Sequence, residues 1–534
     1  MTIRPFDTGT EASLRRAIEL APEDAANYEQ LALLLEISGR RNEAERCRRQ
    51  AVSLDAGSQQ LRLNLADHLA GSHKEEDLAE AKAIYLDVLN ILPSHYAAWN
   101  NLGKLLFETG YTSAAQTAYS AAIAYCPEDP KLHANLAQVM LYREEPDAAE
   151  RHFFDALALD PALPEAHQGL ACLFYRKNDE KKARYHRDKG YGSKPVVTSA
   201  WHGHHKPLTL LILCSAMEGN LPWRLLADQN QFQITVASVE YLDRTHELDL
   251  AGYNLIFNVI GDADLCMAGL ETANNLAARA SAPVINMPAA VMRTGRLENS
   301  LRLSRLPGVK TPRMTTISRT ELRSGLAMQK LTGNGLGFPF LIRTTGFHGG
   351  HHFARIESPD ELQEIAQSLP GDSLLAMEWL DSGNEDGLFR KYRVMAIDGA
   401  LYPLHMAVSA QWKVHYFSSD MEVNVSYREQ EQAFLEDFAA AVGEKALSGL
   451  ERIAQTLELD YCGIDFGLDK SGRVLLYEAN ATMAIVPPSH EQHWDYKRAS
   501  IEKALAAVKN MLAKRITRQA GHMQTERLFT DPFD

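Results

Sequence analysis

The chain is 534 residues long, more than one compact core usually uses, which predicts roughly two to four domains. Hydrophobic residues make up 45% of the sequence and charged residues 23%, so the composition excludes wholesale disorder, collagen-like repetition and a long coiled coil. Lys and Arg number 55 against 69 for Asp and Glu, a net charge of −14 at pH 7. That balance argues against a nucleic-acid backbone or an anionic membrane as the main partner.

The six cysteines are scattered and form no Cys-x-x-Cys pair, which is typical of a reducing compartment. The strongest apolar stretch, residues 207–216, is far shorter than the roughly 20 residues that a membrane-spanning helix needs. The first residues lack a charged segment followed by an apolar one, so they do not read as a secretory signal. These features together predict a cytoplasmic protein without a membrane partner.

The first third of the chain repeats itself with a period of 34 residues. A leucine followed by a small residue recurs in steps of 34, 37, 34 and 34. The pairs are Leu31-Ala32, Leu65-Ala66, Leu102-Gly103, Leu136-Ala137 and Leu170-Ala171. Small residues at this period allow the two helices of a repeating unit to approach closely, and prolines such as Pro93 and Pro127 end each unit.

This pattern resembles the tetratricopeptide repeat family, most fully in the third unit. The matching residues there are Trp99, Leu102, Gly103, Leu106, Gly110, Tyr111, Ala115, Tyr119, Ala122 and Pro127. Five units fit residues 25–195, after a degenerate half-repeat that serves as a cap, and we place three extra residues of the second unit in the loop near Gly71. The resemblance implies an all-α superhelix over residues 1–195 that binds an extended peptide or another protein.

A second fold follows a polar linker at residues 196–206. The histidines of this linker, His202, His204 and His205, have no cysteine or carboxylate at ligand spacing, so a linker is favoured over a metal site. Strands predicted at 208–214, 233–239 and 254–259, with helices at 222–228 and 262–279, indicate an open parallel sheet over residues 207–290. Residues 291–517 mix α and β elements and end in a helix predicted from about residue 493 to 515, and residues 518–534 form a tail with little periodicity.

Two segments of the mixed region carry patterns suited to nucleotide binding. A strand that ends at Arg343 enters a glycine-rich turn, and glycines allow backbone amides to approach a phosphate closely; a common glycine hairpin is the alternative. The glycines concerned are Gly346, Gly349 and Gly350. A later apolar strand ends at Glu378, Trp379 and Leu380, a sequence suited to a hinge where a base hydrogen-bonds to backbone.

Two further strands carry charge. Alternation along residues 389–398 puts Lys391 and Arg393 on one face, so two cations can point at one anion. In a hairpin over residues 461–480, Asp465 and Glu478 can lie opposite each other, with Asn480 on the side of Glu478. Two carboxylates and an amide oxygen are hard ligands for Mg²⁺. The alternative is a surface hairpin with incidental acids, but an unpaired Asp465 among apolar neighbours would be costly.

At these residues the chain resembles the ATP-grasp superfamily, in particular carboxylate–amine ligases related to glutathione synthetase, ribosomal protein S6 modification enzyme and D-alanine–D-alanine ligase. The resemblance implies an α+β ATP-grasp domain over residues 291–517, an α/β subdomain before it, and ATP with two Mg²⁺ ions as cofactors. It implies nucleotide contacts from Arg296 and Arg343, a phosphate loop at residues 346–350 and an adenine hinge at residues 378–380. Arg393 would face the transferred phosphate and act in catalysis with Arg343, and Asp465, Glu478 and Asn480 would hold magnesium.

The implied activity joins a carboxylate to a small amine or amino acid through an acylphosphate, on a peptide or protein that the repeats recruit. The chain departs from the family where arginine replaces lysine at both nucleotide cations, and where Lys391 replaces the acid expected to hold the ribose. Glu385 or Asp386 could supply that acid. These departures keep two alternatives open, an interaction scaffold with a degenerate ATP-grasp domain and a phosphotransferase on the same fold.

Overall fold

The computed structural model describes residues 8–38, 40–72, 74–199, 201, 207–227, 231–242, 248–345, 352–414, 419–488 and 491–519. The chain divides into two compact units, one built mainly from residues 1–194 and the other mainly from residues 234–534. Within the ranges described, no helix combines the length and the hydropathy that crossing a membrane requires.

The first unit is a single helix followed by five helix pairs, as the repeat predicts. These helices are α1 (Thr8–Leu20), α2 (Ala25–Ile37), α3 (Arg41–Leu54), α4 (Gln59–Ala70), α5 (Glu75–Ile91), α6 (Tyr96–Glu108), α7 (Thr112–Tyr125), α8 (Pro130–Tyr142), α9 (Pro146–Leu159), α10 (Pro164–Arg176) and α11 (Glu180–Tyr191). The starts of the helices follow local chemistry. Asp24 and Asp129 accept hydrogen bonds from the first-turn amides of α2 and α8, and a proline occupies the first turn of α8, α9 and α10.

The repeated small residues form the core of the first unit. The leucine and the small residue of each repeated pair are buried, as is the alanine twelve residues later in the first, third, fourth and fifth units. In the third unit a Cβ atom added to Gly103 would lie 3.0 Å from the ring of Tyr119. Because α6 and α7 are in close contact at that point, a methyl group there would force the ring of Tyr119 to shift.

The prediction that the three extra residues of the second unit lie in the loop near Gly71 is wrong. Helix α5 begins at the same offset from the start of α4 as the second helix of each neighbouring pair, so the loop is of ordinary length. The extra residues lengthen α5, which has 17 residues where α3 and α7 have 14. Its first turn contains Glu75, Glu76 and Asp77, whose negative charges interact favourably with the positive end of the helix dipole.

An acid-sensitive ion cluster links the first two repeats. The carboxylate of Glu36 accepts hydrogen bonds from the buried guanidinium of Arg48 and from Nδ1 of His68, the latter at 2.9 Å. Burial acts to raise the pKa of Glu36, but the hydrogen bonds from His68 and Arg48 outweigh it and lower that pKa to about 2. A depressed carboxyl pKa contributes stability above the unfolded value of 4.5, and that contribution is lost as the pH falls from 4.5 towards 2.

We therefore expect acid to destabilise the wild-type protein more than the Glu36→Gln variant. The difference on going from pH 5 to pH 2.5 is on the order of 2 kcal/mol, after allowing for solvent screening of a carboxylate that is one-third exposed. Urea unfolding followed by far-UV circular dichroism at both pH values measures it. Glu19→Gln, in an exposed ion pair on α1, is the matched control. Parallel pH profiles for the wild type and Glu36→Gln would contradict the prediction.

The second unit mixes strands and helices. Its strands are β1 (Val196–Thr198), β2 (Leu208–Cys214), β3 (Phe232–Ser238), β4 (Leu255–Asn258), β5 (Val284–Ile285), β6 (Val309–Lys310), β7 (Met314–Ser318), β8 (Phe340–Thr344), β9 (Phe353–Ile356), β10 (Ser373–Glu378), β11 (Phe389–Ile397), β12 (Ala400–Ser409), β13 (Tyr461–Leu468) and β14 (Val474–Asn480). Its helices are α12 (Met267–Ala277), α13 (Pro288–Val291), α14 (Arg296–Leu303), α15 (Arg319–Arg323), α16 (Leu326–Gly333), α17 (Pro359–Ser368), α18 (Val425–Glu436), α19 (Phe438–Leu457) and α20 (Arg498–Gln519).

The first sheet has the strand order β1-β3-β2-β4-β5. Strands β2 and β4 are parallel and lie where the sequence predicts them. Strand β5, which was not predicted, runs parallel to β4, whereas β1 pairs antiparallel to β3. Two predicted helices are shorter than expected. The segment from Pro222 forms only a 3-10 turn at Trp223–Leu225, since so short a segment gains few hydrogen bonds for each residue it fixes. Helix α12 begins five residues late because the side chain of Asp262 caps a turn, accepting the amides of Asp264 and Leu265.

The other two sheets are largely antiparallel. The second has the order β7-β10-β8-β9 and its own core, centred on Ile317, Phe340 and Leu374. The third has the order β12-β11-β13-β14-β6, in which β6 runs parallel to β14. The predicted hairpins β11–β12 and β13–β14 are confirmed. One continuous apolar core joins the first and third sheets, so residues of β2 and β4 share a core with those of β13.

The last helix differs from its predicted bounds. A helix was expected from about residue 493 to 515, but Gln492–Lys497 forms a 3-10 turn and α20 runs from Arg498 to Gln519. In that turn Tyr496 and Lys497 both point at the buried carboxylate of Glu431, which holds the turn apart from the helix. The predicted tail therefore overlaps the end of α20, and residues 520–534 lie outside the described residues.

Candidate functional site

The hairpin of β13 and β14 brings together the residues predicted to bind magnesium. Asp465 lies directly opposite Glu478 in the strand register, and Nδ2 of Asn480 donates a hydrogen bond of 2.9 Å to Oε1 of Glu478. The register shifts after Asp465, so a bulge lies beside the pair. Asp465 is only 1% exposed, whereas Glu478 is partly open to solvent. The three side chains therefore form one oxygen-rich cluster at this end of the hairpin.

Two cations contact Asp465. Arg393 on β11 donates two hydrogen bonds to its carboxylate, from Nε at 2.6 Å and from Nη2 at 2.9 Å, and Nζ of Lys391 lies 2.7 Å from the same group. Both side chains reach one anion because alternation places them on one face of β11, as the sequence predicts. Burial acts to raise the pKa of Asp465, but the charges of Arg393 and Lys391 outweigh it and hold that pKa well below its usual range. Asp465 is thus ionised and already paired.

Arg296 ties Glu478 to a loop of the first sheet. Its Nη2 donates to Oε1 of Glu478 at 2.6 Å, and its Nη1 and backbone amide donate to Oδ2 of Asp264 at 3.2 and 3.1 Å. Arg343, at the end of β8, interacts electrostatically with Arg296 and Glu478. Burial and the charge of Arg296 lower the pKa of Arg343 to about 10. Arg296 therefore contacts the predicted metal ligand Glu478, and Arg343 lies close enough to interact with both of these charges.

Asp262 and Asp264 are site residues that sequence reasoning missed. They follow the buried strand β4, in the segment from Gly261 to Asp264, at the carboxyl end of a parallel strand. That end of a parallel strand is where open α/β sheets usually bind ligands, so the position was a usable signal. An open cavity is lined by both aspartates together with Arg296, Glu478 and Asn480. Its charged lining of both signs suits a polar ligand that carries a phosphate and a cation.

Gly261 fixes the distance between the β4 loop and the end of β14. A Cβ atom added there would lie 2.6 Å from the carbonyl carbon of Ala481 and 2.7 Å from the amide nitrogen of Thr482. Both are backbone atoms, which cannot rotate away. We expect Gly261→Ala to lower the free energy of unfolding by about 1 to 3 kcal/mol and to weaken ligand binding in the cavity. Chemical denaturation measures the loss, with Gly333→Ala, where an added Cβ meets open space, as the control.

The predicted adenine hinge is embedded in an ionic and aromatic cluster. The carboxylate of Glu378 accepts a hydrogen bond of 3.0 Å from Nε of Arg313 and lies 3.3 Å from Nζ of Lys310. Its backbone amide donates to the carbonyl of Arg313. The ring of Trp379 lies edge-on to Trp412, with centroids 5.4 Å apart.

The same cluster holds a cation over an aromatic face. The guanidinium of Arg355 lies 4.3 Å from the centroid of the Trp379 ring, while Leu380 is buried. Sequence reasoning missed the three cations of this cluster, because Lys310, Arg313 and Arg355 come from strands or loops far from the hinge in sequence. An aromatic face backed by cations is a surface on which a planar ring could stack.

The outcome differs among the remaining predicted site residues. The phosphate-loop glycines Gly346, Gly349 and Gly350 lie outside the described residues. Glu385, one choice for the ribose acid, is exposed in the turn before β11. Asp386, the other choice, is paired with Arg390 at 2.6 Å. Lys391, at the position where relatives carry that acid, is engaged with Asp465.

A ladder of polar side chains connects the first helices of successive pairs in the first unit. Nδ2 of Asn64 donates to Glu29 at 2.9 Å, and Nδ2 of Asn101 donates to Asp67 at 2.8 Å. In the next step Nδ2 of Asn135 donates to Oδ1 of Asn100 at 3.0 Å. The donor and acceptor in each step lie 34 or 35 residues apart, so the ladder follows the repeat. Amides in such a row can also hydrogen-bond to a peptide backbone.

A family model described as the tetratricopeptide repeat matches residues 96–129. The helix pairs form a tetratricopeptide repeat array. Among solved structures, the array is similar to YrrB, a "TPR protein with an unusual peptide-binding site", at 20% identity and a TM-score of 0.29, covering 35% of this chain and 94% of that one. It is also similar to MamA from Desulfovibrio magneticus RS-1 (23% identity, TM-score 0.29, 31% and 93% covered). PilF from Pseudomonas aeruginosa is similar as well (24%, 0.29, 32% and 76%). No curated protein matches the chain.

The last helix of the tetratricopeptide array, α11, carries a basic stretch that is partly neutralised within the same helix. The stretch consists of Lys181, Lys182, Arg184, Arg187 and Lys189. Lys182 lies 3.2 Å from Asp179, and its ammonium group also lies over the ring of Phe174. Arg187 is largely buried and pairs with Glu180 at 2.6 Å. These pairings indicate that the basic stretch stabilises its own helix. The polar ladder is therefore the stronger candidate for contact with a peptide.

Proposed function

We propose that the chain is an ATP- and Mg²⁺-dependent carboxylate–amine ligase of the ATP-grasp type, whose tetratricopeptide array recruits a peptide or protein substrate. One observation carries the proposal. Asp465 and Glu478 face each other in paired strands beside Asn480, and three cations converge on those two carboxylates at the edge of a polar cavity. Hard oxygen ligands next to excess positive charge suit a metal–phosphate complex.

The residues fit the proposed cofactors chemically. Asp465, Glu478 and Asn480 would supply oxygen ligands to Mg²⁺, which prefers carboxylate and carbonyl oxygens. Arg393, Arg343 and Arg296 would supply hydrogen-bond donors to phosphate oxygens, which guanidinium groups recognise in bidentate geometry. When bound, ATP provides the phosphoryl group and the metal balances its charge. The aromatic cluster around Trp379 would receive the base.

In the proposed reaction a substrate carboxylate oxygen bonds to the γ-phosphorus of ATP while the bond to the β–γ bridging oxygen breaks, which releases ADP. The amine nitrogen then bonds to the acyl carbon, the bond from that carbon to the phosphate-bearing oxygen breaks, and inorganic phosphate leaves as nitrogen loses a proton. Negative charge develops on the transferred group and then on the leaving phosphate. Arg393 and Arg343 would offset that charge, which is the usual contribution of a protein to phosphoryl transfer.

Turnover of ATP by the full chain tests the proposal. The protein is incubated with Mg-ATP and a panel of peptides and amines, with ADP and phosphate counted separately, and hydroxylamine replaces the amine in parallel samples. A ligase releases ADP and phosphate in equal amounts only when carboxylate and amine are both present, and hydroxylamine traps the acylphosphate as a hydroxamate. ADP without matching phosphate, together with a stable phosphorylated product, would identify a phosphotransferase instead.

A second function, an interaction scaffold, is favoured by one specific observation. Asp465 is paired with Arg393 and Lys391, and Glu478 with Arg296, so both carboxylates of the cluster already have cationic partners without a ligand. A scaffold would bind its peptide through the array with no dependence on nucleotide. Thermal unfolding with and without Mg-ATP separates the two functions, because a ligand that binds the native state raises the melting temperature. No shift and no turnover with any substrate would favour the scaffold.

The recruiting role of the array has its own expected result. Once a substrate is known, Asn101→Ala is expected to raise its KM about fivefold, the effect of losing about 1 kcal/mol of hydrogen bonding, and to leave kcat unchanged. A residue of the array can add only binding that is equal in the ground and transition states. Thr117→Ala, an exposed hydroxyl on α7, is the control. A fall in kcat at constant KM would mean that the array shapes the active site.

A further inference from the structure

Two pairs of histidines occupy equivalent positions in the last two repeats of the array. In the fourth repeat His133 on α8 faces His152 on α9, and in the fifth His167 on α10 faces His186 on α11. Both members of the second pair follow those of the first by 34 residues, so the same two helix positions are used. The two pairs differ in the spacing of their Nδ1 atoms and in the residue beside them. These differences distinguish a simple hydrogen bond from a metal-binding site.

The first histidine of each pair has its tautomer set by the backbone. Nε2 of His133 lies 3.0 Å from the carbonyl oxygen of Pro127, and Nε2 of His167 lies 3.1 Å from that of Pro161. A carbonyl oxygen only accepts, so Nε2 carries the hydrogen and Nδ1 of the neutral ring keeps a lone pair. The third repeat has Trp99 at this position, whose Nε1–H donates in the same way to Pro93. Each lone pair therefore points at the second histidine.

The spacing of the two Nδ1 atoms differs between the pairs. In the fifth repeat they are 2.9 Å apart, which is an ordinary hydrogen-bond length. In the fourth repeat they are 3.4 Å apart, which is long for such a bond. Two nitrogen ligands at 2.0–2.1 Å from a tetrahedral Zn²⁺ ion lie about 3.4 Å apart. The pair in the fourth repeat is thus spaced like two ligands of one ion.

A carboxylate completes the cluster in the fourth repeat. Oδ2 of Asp155, one turn after His152 on α9, lies 3.6 Å from Nδ1 of His152 and 4.0 Å from Nδ1 of His133. These three ligand atoms all fall within 4.8 Å of one another. The equivalent position of the fifth repeat holds Lys189, a cation that would repel a metal ion. The chain therefore contains a matched pair of sites, one with a third ligand and one with a positive charge.

We propose that His133, His152 and Asp155 bind a divalent transition-metal ion, with Zn²⁺ as the favoured ion. Two imidazole nitrogens and one carboxylate are the ligand chemistry of Zn²⁺, whereas Mg²⁺ and Ca²⁺ prefer oxygen ligands alone. Three protein ligands leave the fourth tetrahedral position open, and the side chain of Asp155 is 57% exposed, so that position is accessible to solvent. The ion joins the two helices of the fourth repeat and offers one position to water or to a donor atom of a bound peptide.

The site is independent of the proposed ligase chemistry, because its residues lie in the array and share no side chain with the cluster at Asp465.

The test compares Zn²⁺ binding by variants of the full chain. Metal-free protein is titrated with Zn²⁺ in competition with a chromophoric chelator, and the tetrahedral absorption bands of Co²⁺ report on geometry. Asp155→Lys, which copies the residue of the fifth repeat at an exposed position, is expected to weaken the tightest binding about 100-fold, and His152→Gln is expected to do the same. His186→Gln, the equivalent change in the fifth repeat, is expected to bind like the wild type.

The histidines at residues 202–205 could bind additional Zn²⁺ ions with lower affinity. The proposal is therefore tested by comparing the variants with the wild type, and not by the total number of ions bound. Zn²⁺ is also expected to raise the melting temperature of the wild type and of His186→Gln, but not that of Asp155→Lys. Because Asp155 is exposed, its replacement leaves the packing of α8 and α9 intact. Equal Zn²⁺ affinity in the wild type and Asp155→Lys would overturn the proposal, as would loss of the same equivalent in His186→Gln.

Discussion

The Asp465→Asn variant is expected to lose ATP turnover and about 3 kcal/mol of stability. Its carboxylate is 1% exposed and receives two hydrogen bonds from Arg393 as well as the charge of Lys391. An asparagine keeps the volume but leaves two cations at the site without their counter-charge. Removing one partner of a buried ion pair costs far more than removing an exposed one, because the remaining charge stays desolvated. The same change removes an oxygen ligand that the proposed metal requires.

A second variant separates the two effects. Glu478→Gln keeps the pair between Asp465 and Arg393, and Glu478 is partly exposed, so its stability loss is expected to be smaller while turnover is still lost. Stability is measured by chemical denaturation, and turnover with the substrates identified by the panel. Glu422→Gln, an exposed acid before α18, is the control for both measurements. If Asp465→Asn turned over ATP as fast as the wild type at saturating Mg-ATP, Asp465 could not be a ligand of the proposed metal.

Replacing Glu431 by Gln is expected to destabilise the second unit by about 3 to 5 kcal/mol. Glu431, on α18, is fully buried and accepts hydrogen bonds from the Tyr496 hydroxyl at 2.6 Å and the Met406 amide at 3.1 Å. Nζ of Lys497, itself only 6% exposed, lies 3.1 Å from the same carboxylate. The glutamine oxygen can still accept from the Met406 amide, and its NH2 group can donate to the Tyr496 oxygen. The negative charge is lost, however, so the buried Lys497 loses its counter-charge.

Two comparisons test this explanation. Glu431→Leu combined with Lys497→Met is expected to recover most of the loss, because apolar residues of similar size often replace a buried ion pair at little cost. Asp495→Asn, which breaks the more exposed pair with Arg498, is expected to cost less than about 1 kcal/mol. A double variant no more stable than Glu431→Gln would show that the shape of the site, and not its charge, determines the stability.

The pH dependence of Glu431→Gln gives a further readout of the same pair. Burial lowers the pKa of Lys497 below 10.5, and Glu431 opposes that shift. Without Glu431 the folded-state pKa of Lys497 falls further. The unfolded chain then binds more protons than the folded one over a wider pH range, so stability rises with pH up to 10.5. We expect the variant to regain more stability than the wild type between pH 7 and pH 9.5 in denaturant titrations.

Local periodicity was enough to predict the repeat array and the hairpins that carry the candidate site. A leucine followed by a small residue, as in Leu102-Gly103, recurs with the repeat because each repeat packs mainly on its neighbours. The core of each repeat therefore comes from a short stretch of sequence. The strands that carry Asp465 and Glu478 are joined by the five residues 469–473, and alternation within the two strands then sets which side chains face each other. Lys391 and Arg393 share a face for the same reason.

Contacts between distant segments could not be predicted in this way. Arg296 reaches Glu478 across 182 positions of sequence, and no periodicity in either segment encodes that meeting. Likewise Lys310 and Arg313 join Glu378 only because β6, β7 and β10 belong to sheets whose order follows from packing.

Composition also misled locally, since residues 71–76 resemble a loop by composition although Glu75 and Glu76 begin helix α5. The sequence by itself determined the repeats, the hairpins and the types of charge available. Only the tertiary structure decided which charges meet, because a shared apolar core, rather than any local pattern, brings the first and third sheets together.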